Sequence, residues 1–209
     1  MVASPYRIDD GALDRRGRRE AGALAGRAFV DDAFFSYLLP DARTRRRSLE
    51  TMHRSVLAHP GKRARIQTAR TTTNEIVALA LWLPTGAYPQ PMLTQLAQLP
   101  NSLRAYYRRP KAISDGYAIL QATAKAHPKE PHWYLWLLMT DPALQRTGAG
   151  TLLMDDALAA VDQEHVGSSL ETQDADNLPY YGRFGYEVRT TLQPIPHGPT
   201  MYSMWRAPQ

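Results

Sequence analysis

The sequence predicts an α/β domain, because apolar runs of strand length alternate with longer segments whose apolar residues recur at helical spacing. The clearest case is the aromatic and aliphatic run 132–139, which is followed by a helical pattern over residues 150–163. A second case is the pair of strand-like runs 64–69 and 75–83, which follows two helical patterns. The length of 209 residues is enough for one compact core.

The N-terminal segment predicts a short strand and a helix. Residues 6–8 form the strand candidate, which Asp9-Asp10-Gly11 ends, and residues 12–30 have the helical pattern. Four arginines crowd the start of this helix, namely Arg15, Arg16, Arg18 and Arg19. They fit a nucleic-acid contact or a solvated face, and the lack of interleaved aromatic residues favours the solvated face.

The next segments supply candidate acceptor-binding residues. Phe34, Phe35 and Tyr37 either line a pocket for an apolar or aromatic substrate or belong to the core. Residues 42–58 predict a second helix. The run 75–83 is almost continuously apolar, so it predicts a central strand. Trp82, near its end, either faces a pocket or packs in the core.

Seven prolines interrupt the segment between residues 84 and 131, where helical patterns fit at 92–99, 101–108 and 112–126. Tyr106, Tyr107 and Tyr117 either contribute to an acceptor site or pack structurally. The chain shows no spacing of His, Asp and Glu that is typical of a metal site, so none is predicted.

Composition narrows the function classes. The chain has no cysteine, which excludes disulfides, thiolate metal sites and a cysteine nucleophile. Neither a signal peptide nor an apolar run of about 20 residues is present, so we expect no membrane span and a cytoplasmic location. The formal charge of +5 suits an anionic ligand, but also nucleic acid.

The loop 145–150 lies between the predicted strand 132–139 and the helix that follows it. The first N–H groups of a helix lack intrahelical partners, and glycine allows a ligand to approach the backbone. This loop is therefore a candidate pyrophosphate cradle. It is not a P-loop, because Gly150 precedes Thr151-Leu152 rather than a lysine, and it lacks the third glycine of the dinucleotide fingerprint.

Two motifs resemble the GNAT superfamily of N-acetyltransferases. The spacing Pro142-x-x-Gln145-x-x-Gly148-x-Gly150 is similar to its coenzyme A pyrophosphate loop. Asn-Leu-Pro-x-Tyr from Asn177 to Tyr181, followed by Phe-Gly-Tyr, resembles its next motif. The segments HPKEPHWYL, LET and NLPYY also resemble the puromycin N-acetyltransferase branch. The chain departs from the usual pattern at Thr140, where the family more often has an aliphatic residue.

The resemblance implies one domain over residues 1–209, with a mixed, twisted central sheet and helices on both faces. The acceptor side is expected at about 1–131 and the acetyl-coenzyme A core at about 132–190. The implied cosubstrate contacts are Leu138, Met139 and Thr140 to the pantetheine arm, Gln145, Arg146, Thr147, Gly148, Ala149, Gly150 and Thr151 to the pyrophosphate, and Asn177 and Tyr181 near the arm and its thiol.

The implied reaction is direct acetyl transfer to a primary amine in a ternary complex. Because amines have a pKa near 10.4, a base or a desolvated site must help to remove a proton. Glu171 is favoured as that base, and Asp31, Asp32, Glu130 and a water relay are alternatives. A backbone N–H near Met139 is expected to stabilise the oxyanion, and Tyr181 is the expected general acid.

The expected acceptor is a small molecule that contacts Phe34, Phe35, Tyr37 and Trp82, and a peptide acceptor remains the alternative. Two other hypotheses remain: an acyl-coenzyme A sensor without catalysis, and, less favoured, a nucleic-acid-binding protein that uses the arginines at 15–19 and 43–47. A monomer and a homodimer are both compatible with the sequence. The final apolar strand 201–205 either lies beside an opening in the sheet or pairs with a second subunit.

Overall fold

A single mixed sheet runs through the computed structural model of this protein, which describes residues 4–106 and 109–209. Within these ranges the sheet has seven strands in the order β1-β2-β3-β4-β5-β7-β6. Only β4 and β5 pair in parallel, so the predicted mixed sheet is confirmed. The strands are β1 (Arg7–Asp10), β2 (Arg65–Arg70), β3 (Ile76–Leu83), β4 (His132–Thr140), β5 (Gly167–Thr172), β6 (Glu187–Leu192) and β7 (Met201–Arg206).

Helices cover both faces of this sheet. Three of them begin where an aspartate side chain accepts a backbone N–H, which explains where the chain turns helical: Asp14, Asp32 and Asp41. Among the described residues, no helix is both long enough and apolar enough to cross a membrane. The helices are α1 (Arg15–Ala28), α2 (Ala33–Leu38), α3 (Ala42–Ala58), α4 (Met92–Tyr106), α5 (Pro110–Ala126), α6 (Ala149–Gln163) and α7 (Leu178–Gly182).

The central strand β3 is buried along its whole length, as its apolar sequence predicts. Leu79 and Leu81 point to the face that α1 covers, whereas Ala80 and Trp82 point to the face that α6 covers. Trp82 is 0% exposed and packs edge-on against Trp133 at 6.3 Å between ring centroids. It is therefore a core residue, and the expectation that it faces an acceptor pocket is wrong.

Several elements differ from the sequence predictions. β1 continues through Asp10, because Asp9 and Asp10 pair with β2. The helical patterns 92–99 and 101–108 are one helix, α4, which passes through Pro100 and is described to Tyr106. Tyr107 lies outside the described residues. The predicted last strand is β7, which pairs with β5 and β6 of the same chain.

Candidate active site

The parallel strands β4 and β5 separate part-way along their length. Their pairing runs from His132 with Gly167 to Leu135 with Leu170, whereas β4 continues to Thr140 and stays paired with β3. Trp136, the residue after Leu135, has no counterpart on β3, so β4 carries a bulge at the point where it separates from β5. An opening therefore lies between the carboxyl ends of the two strands.

The direction of the β4 amides follows from the ladder with β3. Asp141 donates its N–H to the carbonyl of Val77 at 2.8 Å, and Met139 pairs with Leu79 two residues earlier. Because hydrogen-bonded pairs recur every second residue in an antiparallel ladder, the Met139 amide also faces β3. The N–H groups of Leu138 and Thr140 consequently face the opening.

The loop after β4 has two residues with left-handed backbone conformation. Arg146 has φ of 64° and Gly148 has φ of 95°. A Cβ at Gly148 would meet nothing within 4 Å, so the loop leaves free space beside the start of α6. The first hydrogen bond of α6 runs from Leu152 N–H to Gly148 at 2.9 Å, which leaves the N–H groups before Leu152 free to bind an anion.

Contacts from distant segments hold this loop in place. Arg27 of α1 binds Asp141 Oδ2 through two nitrogens, at 2.9 and 2.6 Å. The Tyr6 hydroxyl donates to Thr147 Oγ1 at 2.8 Å, and Thr147 donates in turn to the Leu144 carbonyl at 2.6 Å. The shape of the loop therefore depends on α1 and on the N-terminal segment as well as on its own glycines.

The tyrosines of α7 lie beside the same loop. A Cβ at Gly150 would come within 3.1 Å of the Tyr180 hydroxyl and 3.2 Å of Thr140 Oγ1, so a larger residue there would press on both side chains. Tyr181 stacks edge-on against Tyr180 at 5.2 Å and is 9% exposed. Burial raises the pKa of Tyr181, which keeps its hydroxyl protonated near neutral pH.

Asn177 precedes α7 and is tied to the end of β5. Its Nδ2 donates to Thr172 Oγ1 at 3.4 Å, and the residue is otherwise exposed. Because β4 and β5 run in parallel, their carboxyl ends meet at one edge of the sheet. The structure thus brings together the loop 145–151, Asn177 and Tyr181, which the sequence separates by about 30 residues.

Glu171 lies on β5, one residue beyond the last pair with β4. Its Oε2 accepts a hydrogen bond from the Tyr134 hydroxyl at 2.6 Å. Its Oε1 is buried, and no hydrogen-bond partner for it exists among residues 4–106 and 109–209. Burial raises the pKa of this carboxyl to about 7, and the bond from Tyr134 lowers it in part. Such a carboxylate can take up a proton near neutral pH.

The comparison with protein families decides the identity of the fold. The model of the acetyltransferase (GNAT) family matches residues 73–186, more than half of the chain. This match includes the loop, Glu171, Asn177 and Tyr181.

The chain belongs to the GNAT family of acetyltransferases.

Solved structures with the same fold cover almost the whole of this acetyltransferase. The histone acetyltransferase HPA2 and related acetyltransferase from Corynebacterium glutamicum is 20% identical, with a TM-score of 0.71 and 97% of each chain covered. Arylalkylamine N-acetyltransferase 2 from Aedes aegypti is 12% identical, with a TM-score of 0.60 and coverage of 96% and 99%. The polyamine N-acetyltransferase of Drosophila melanogaster is 15% identical, with a TM-score of 0.59 and coverage of 96% and 100%.

The other carboxylates that the sequence offers as bases have different surroundings in the acetyltransferase. Glu130 is exposed and binds Arg189 at 2.6 Å, which lowers its pKa to about 2. Asp32 caps α2 by accepting the Phe35 N–H at 3.1 Å. Burial raises the pKa of Asp32. Asp31 is exposed. Glu171 alone among these four combines a raised pKa with an unpaired buried oxygen.

The aromatic residues of α2 pack against different helices, although the rings of Phe34 and Phe35 also meet edge to face at 5.1 Å. Phe35 packs against Phe29 and His53, on the side of α3. Phe34 and Tyr37 pack towards α5, and the Tyr37 hydroxyl donates to Asp115 at 3.1 Å. Each is partly buried, so an acceptor can reach at most part of each ring.

Sequence reasoning did not single out Tyr134, whose hydroxyl the structure places against Glu171. It was part of an apolar run, and only the pairing of β4 with β5 puts its hydroxyl beside Glu171. A signal existed in the alternation of β4: His132 and Tyr134 are two residues apart and so share a face. The residues on the other face, Trp133 and Leu135, pack under α6.

Proposed function

We propose that this acetyltransferase moves an acetyl group from acetyl-coenzyme A to the primary amine of a small molecule, by direct transfer in a ternary complex. The observation that carries the proposal is the opening between β4 and β5. The loop at its outer end suits a pyrophosphate, and Glu171 beside the point of separation suits an amine. Neighbours of the same fold include enzymes named for arylalkylamines and polyamines, which fits this class of acceptor.

The residues at the opening fit coenzyme A. The free N–H groups before Leu152, with Gln145 to Thr151, are proposed to bind the pyrophosphate. The backbone of Leu138 and Thr140 faces the opening, and the Leu138 carbonyl with the N–H and carbonyl of Thr140 is proposed to pair with the pantetheine amides as an added strand would. Asn177 is proposed to contact the same arm. Bound there, the cosubstrate supplies the activated acetyl group as a thioester.

The side chains then act on protons at the two ends of the reaction. Glu171 removes one proton from the acceptor ammonium, and the lone pair that this frees forms the new C–N bond at the thioester carbon. As the C–S bond breaks, Tyr181 donates its hydroxyl proton to the leaving thiolate, and the second proton that the nitrogen loses restores the Tyr181 hydroxyl. No covalent enzyme intermediate is needed, in keeping with a chain that has no cysteine.

The oxyanion donor is assigned to Leu138 rather than to Met139. The Met139 amide faces β3 and its side chain is buried under α1, so it does not point into the opening. The Leu138 amide lies one residue away and points there. Loss of a single such donor typically costs about 100- to 1,000-fold in rate.

Tyr181→Phe is expected to lower kcat about 10- to 100-fold and to leave acetyl-coenzyme A affinity unchanged. A thiol has a pKa near 8.5, so its thiolate leaves with little help from an acid. Single-turnover kinetics and calorimetry measure the two quantities. Tyr186→Phe is the matched control, because the Tyr186 hydroxyl bonds Ser168 at 2.6 Å and lies in the core. An unchanged kcat in Tyr181→Phe contradicts the assignment.

Tyr134→Phe is expected to move the acidic limb of the kcat/KM profile to higher pH. The Tyr134 hydroxyl stabilises the ionised form of Glu171, so its removal raises that pKa above about 7. Activity at pH 6.5 should consequently fall more than activity at pH 8.5. The phenyl ring keeps the contacts with Tyr88 and His127. A purely structural role of Tyr134 predicts an equal loss at every pH.

Two experiments separate the proposal from its alternatives. Calorimetry with acetyl-coenzyme A tests cosubstrate binding, and a thiol-release assay with a panel of primary amines tests transfer. Tight binding without thiol release for any amine favours the sensor hypothesis. The nucleic-acid hypothesis predicts salt-dependent binding that arginine substitutions remove. Arg45, one of the arginines at 43–47, is buried and donates to the Leu39 carbonyl, so it does not offer its charge to a nucleic acid.

The finer sequence predictions stay predictions. Membership of the puromycin N-acetyltransferase branch is tested with puromycin as the acceptor in the thiol-release assay. A single domain over residues 1–209 predicts one cooperative unfolding transition. The cytoplasmic location and the choice between monomer and homodimer are tested by fractionation and by light scattering.

A further inference from the structure

A cleft of about 290 Å³ lies between the segment after β3 and the segment before β4. It is at the end of β4 opposite to the loop 145–151. Tyr134 joins it to the reaction centre, because this ring lines the cleft while its hydroxyl binds Glu171. Burial raises the pKa of Tyr88, another lining residue, and the charge of Glu171 raises it further. The cleft therefore adjoins the proposed base.

Two histidines in the cleft form a hydrogen-bonded chain with a defined direction. His132 Nδ1 lies 2.6 Å from the Glu130 carbonyl, which can only accept, so this nitrogen carries the hydrogen. Burial lowers the pKa of His132, so its Nε2 is an acceptor at neutral pH. His127 Nε2 lies 3.1 Å away and must donate to it.

Because His127 donates through Nε2, its other ring nitrogen, Nδ1, carries a lone pair and can only accept a hydrogen bond. This atom is closed to solvent, and no protein group among the described residues bonds to it, so a ligand meets it only when the cleft opens at His127. Burial lowers the pKa of His127 to about 4, and the neighbouring His132 adds to this effect. The imidazole thus stays neutral at physiological pH. A buried, unpaired acceptor favours a ligand that brings a hydrogen-bond donor.

The walls of the cleft are apolar and its charge is unfavourable for a polycation. Tyr88, Tyr134 and three prolines supply flat or apolar surface. Of the described residues that line it, Glu130 is the only acid, and Arg189 already pairs with its carboxylate at 2.6 Å. Lys129 adds a positive charge. A second ammonium group would find no free carboxylate here.

We propose that this cleft holds the body of the acceptor, and that the acceptor is an aromatic monoamine with a hydroxyl or N–H donor at the end remote from its amine. The donor binds His127 Nδ1, the ring packs against the tyrosines and prolines, and the amine points towards Glu171. The inference rests on the proposed function, since it names the substrate class of the same site.

The test is a calorimetric titration of the enzyme saturated with coenzyme A, so that no transfer occurs. The probes are tyramine, phenethylamine, which lacks the hydroxyl, and spermidine. Tyramine is expected to bind about tenfold more tightly than phenethylamine, as one net hydrogen bond allows, and phenethylamine more tightly than spermidine. The proposal is overturned if spermidine binds as tightly as phenethylamine or more tightly. It is also overturned if neither aromatic amine binds.

His127→Leu and His127→Gln form a matched pair for the same titration. Leucine removes the acceptor, so the preference for tyramine over phenethylamine should fall to about onefold, while glutamine supplies an amide oxygen and should retain most of it. A preference that survives in His127→Leu overturns the assignment. Thiol release from acetyl-coenzyme A is measured separately, so a failure of catalysis is distinguishable from a failure of this binding site.

Discussion

Glu171→Gln is expected to lower kcat/KM about 100- to 10,000-fold, the range typical of a lost general base. Glutamine keeps the size of the side chain and can still accept the hydrogen bond from Tyr134, but it cannot take up a proton. In the wild-type enzyme, kcat/KM should rise with pH through about 7, because only the ionised carboxylate accepts the amine proton. A pH series of kcat/KM for both enzymes measures this.

Glu130→Gln is the matched control, since Glu130 is exposed and already paired with Arg189. It is expected to leave the acidic limb near pH 7 in place. Acetyl-coenzyme A affinity should be unchanged in Glu171→Gln, because the proposed role of Glu171 is on the acceptor amine and not on the cosubstrate. If Glu171→Gln retains full activity with the same pH profile, a water relay or Asp32 must act as the base instead.

Gly148→Glu is expected to weaken acetyl-coenzyme A binding by at least about 100-fold. The new carboxylate would lie beside the pyrophosphate, and a like-charge contact of this kind costs several kcal/mol. The backbone adds a further penalty, because φ of 95° is strained for any residue with a Cβ. Isothermal calorimetry on the folded variant measures the loss.

Gly148→Ala and Gly148→Gln separate the causes. Alanine has the same backbone strain, but its Cβ meets nothing within 4 Å, so it should mainly lower stability and keep most of the affinity. Glutamine has the bulk of glutamate without its charge, so the loss of acetyl-coenzyme A affinity in Gly148→Gln should lie between the losses in Gly148→Ala and Gly148→Glu. Wild-type affinity in Gly148→Glu would show that the pyrophosphate binds elsewhere.

Local sequence signals predicted most of the elements. The helix predicted at 42–58 is α3, with the same bounds, because Asp41 caps its first turn and its apolar residues repeat on one side. The buried strand β3 was equally clear, since a run such as Ile76 to Leu83 has no polar face. These signals depend on neighbours a few residues apart, which is why a single sequence contains them.

Elements that depend on distant partners were missed. β6 has a mostly exposed sequence without apolar alternation, and it is a strand because β7 pairs with it at the edge of the sheet. α2 is only six residues long, and its Asp32 cap and its packing against α5 decide its form. The sequence does not say which face of β3 Trp82 lies on. The packing of α6 and of the neighbouring strands places it in the core.

By itself, the sequence determined the strand–loop–helix around Gly148 and the order of Asn177 and Tyr181, because both motifs are continuous in the chain. Only the tertiary structure decided that the Leu138 amide, and not that of Met139, faces the opening. It likewise decided the environment of Glu171, through a hydroxyl that lies 37 residues away in the chain. Hydrogen-bond direction and desolvation come from groups that folding brings together, so no local pattern encodes them.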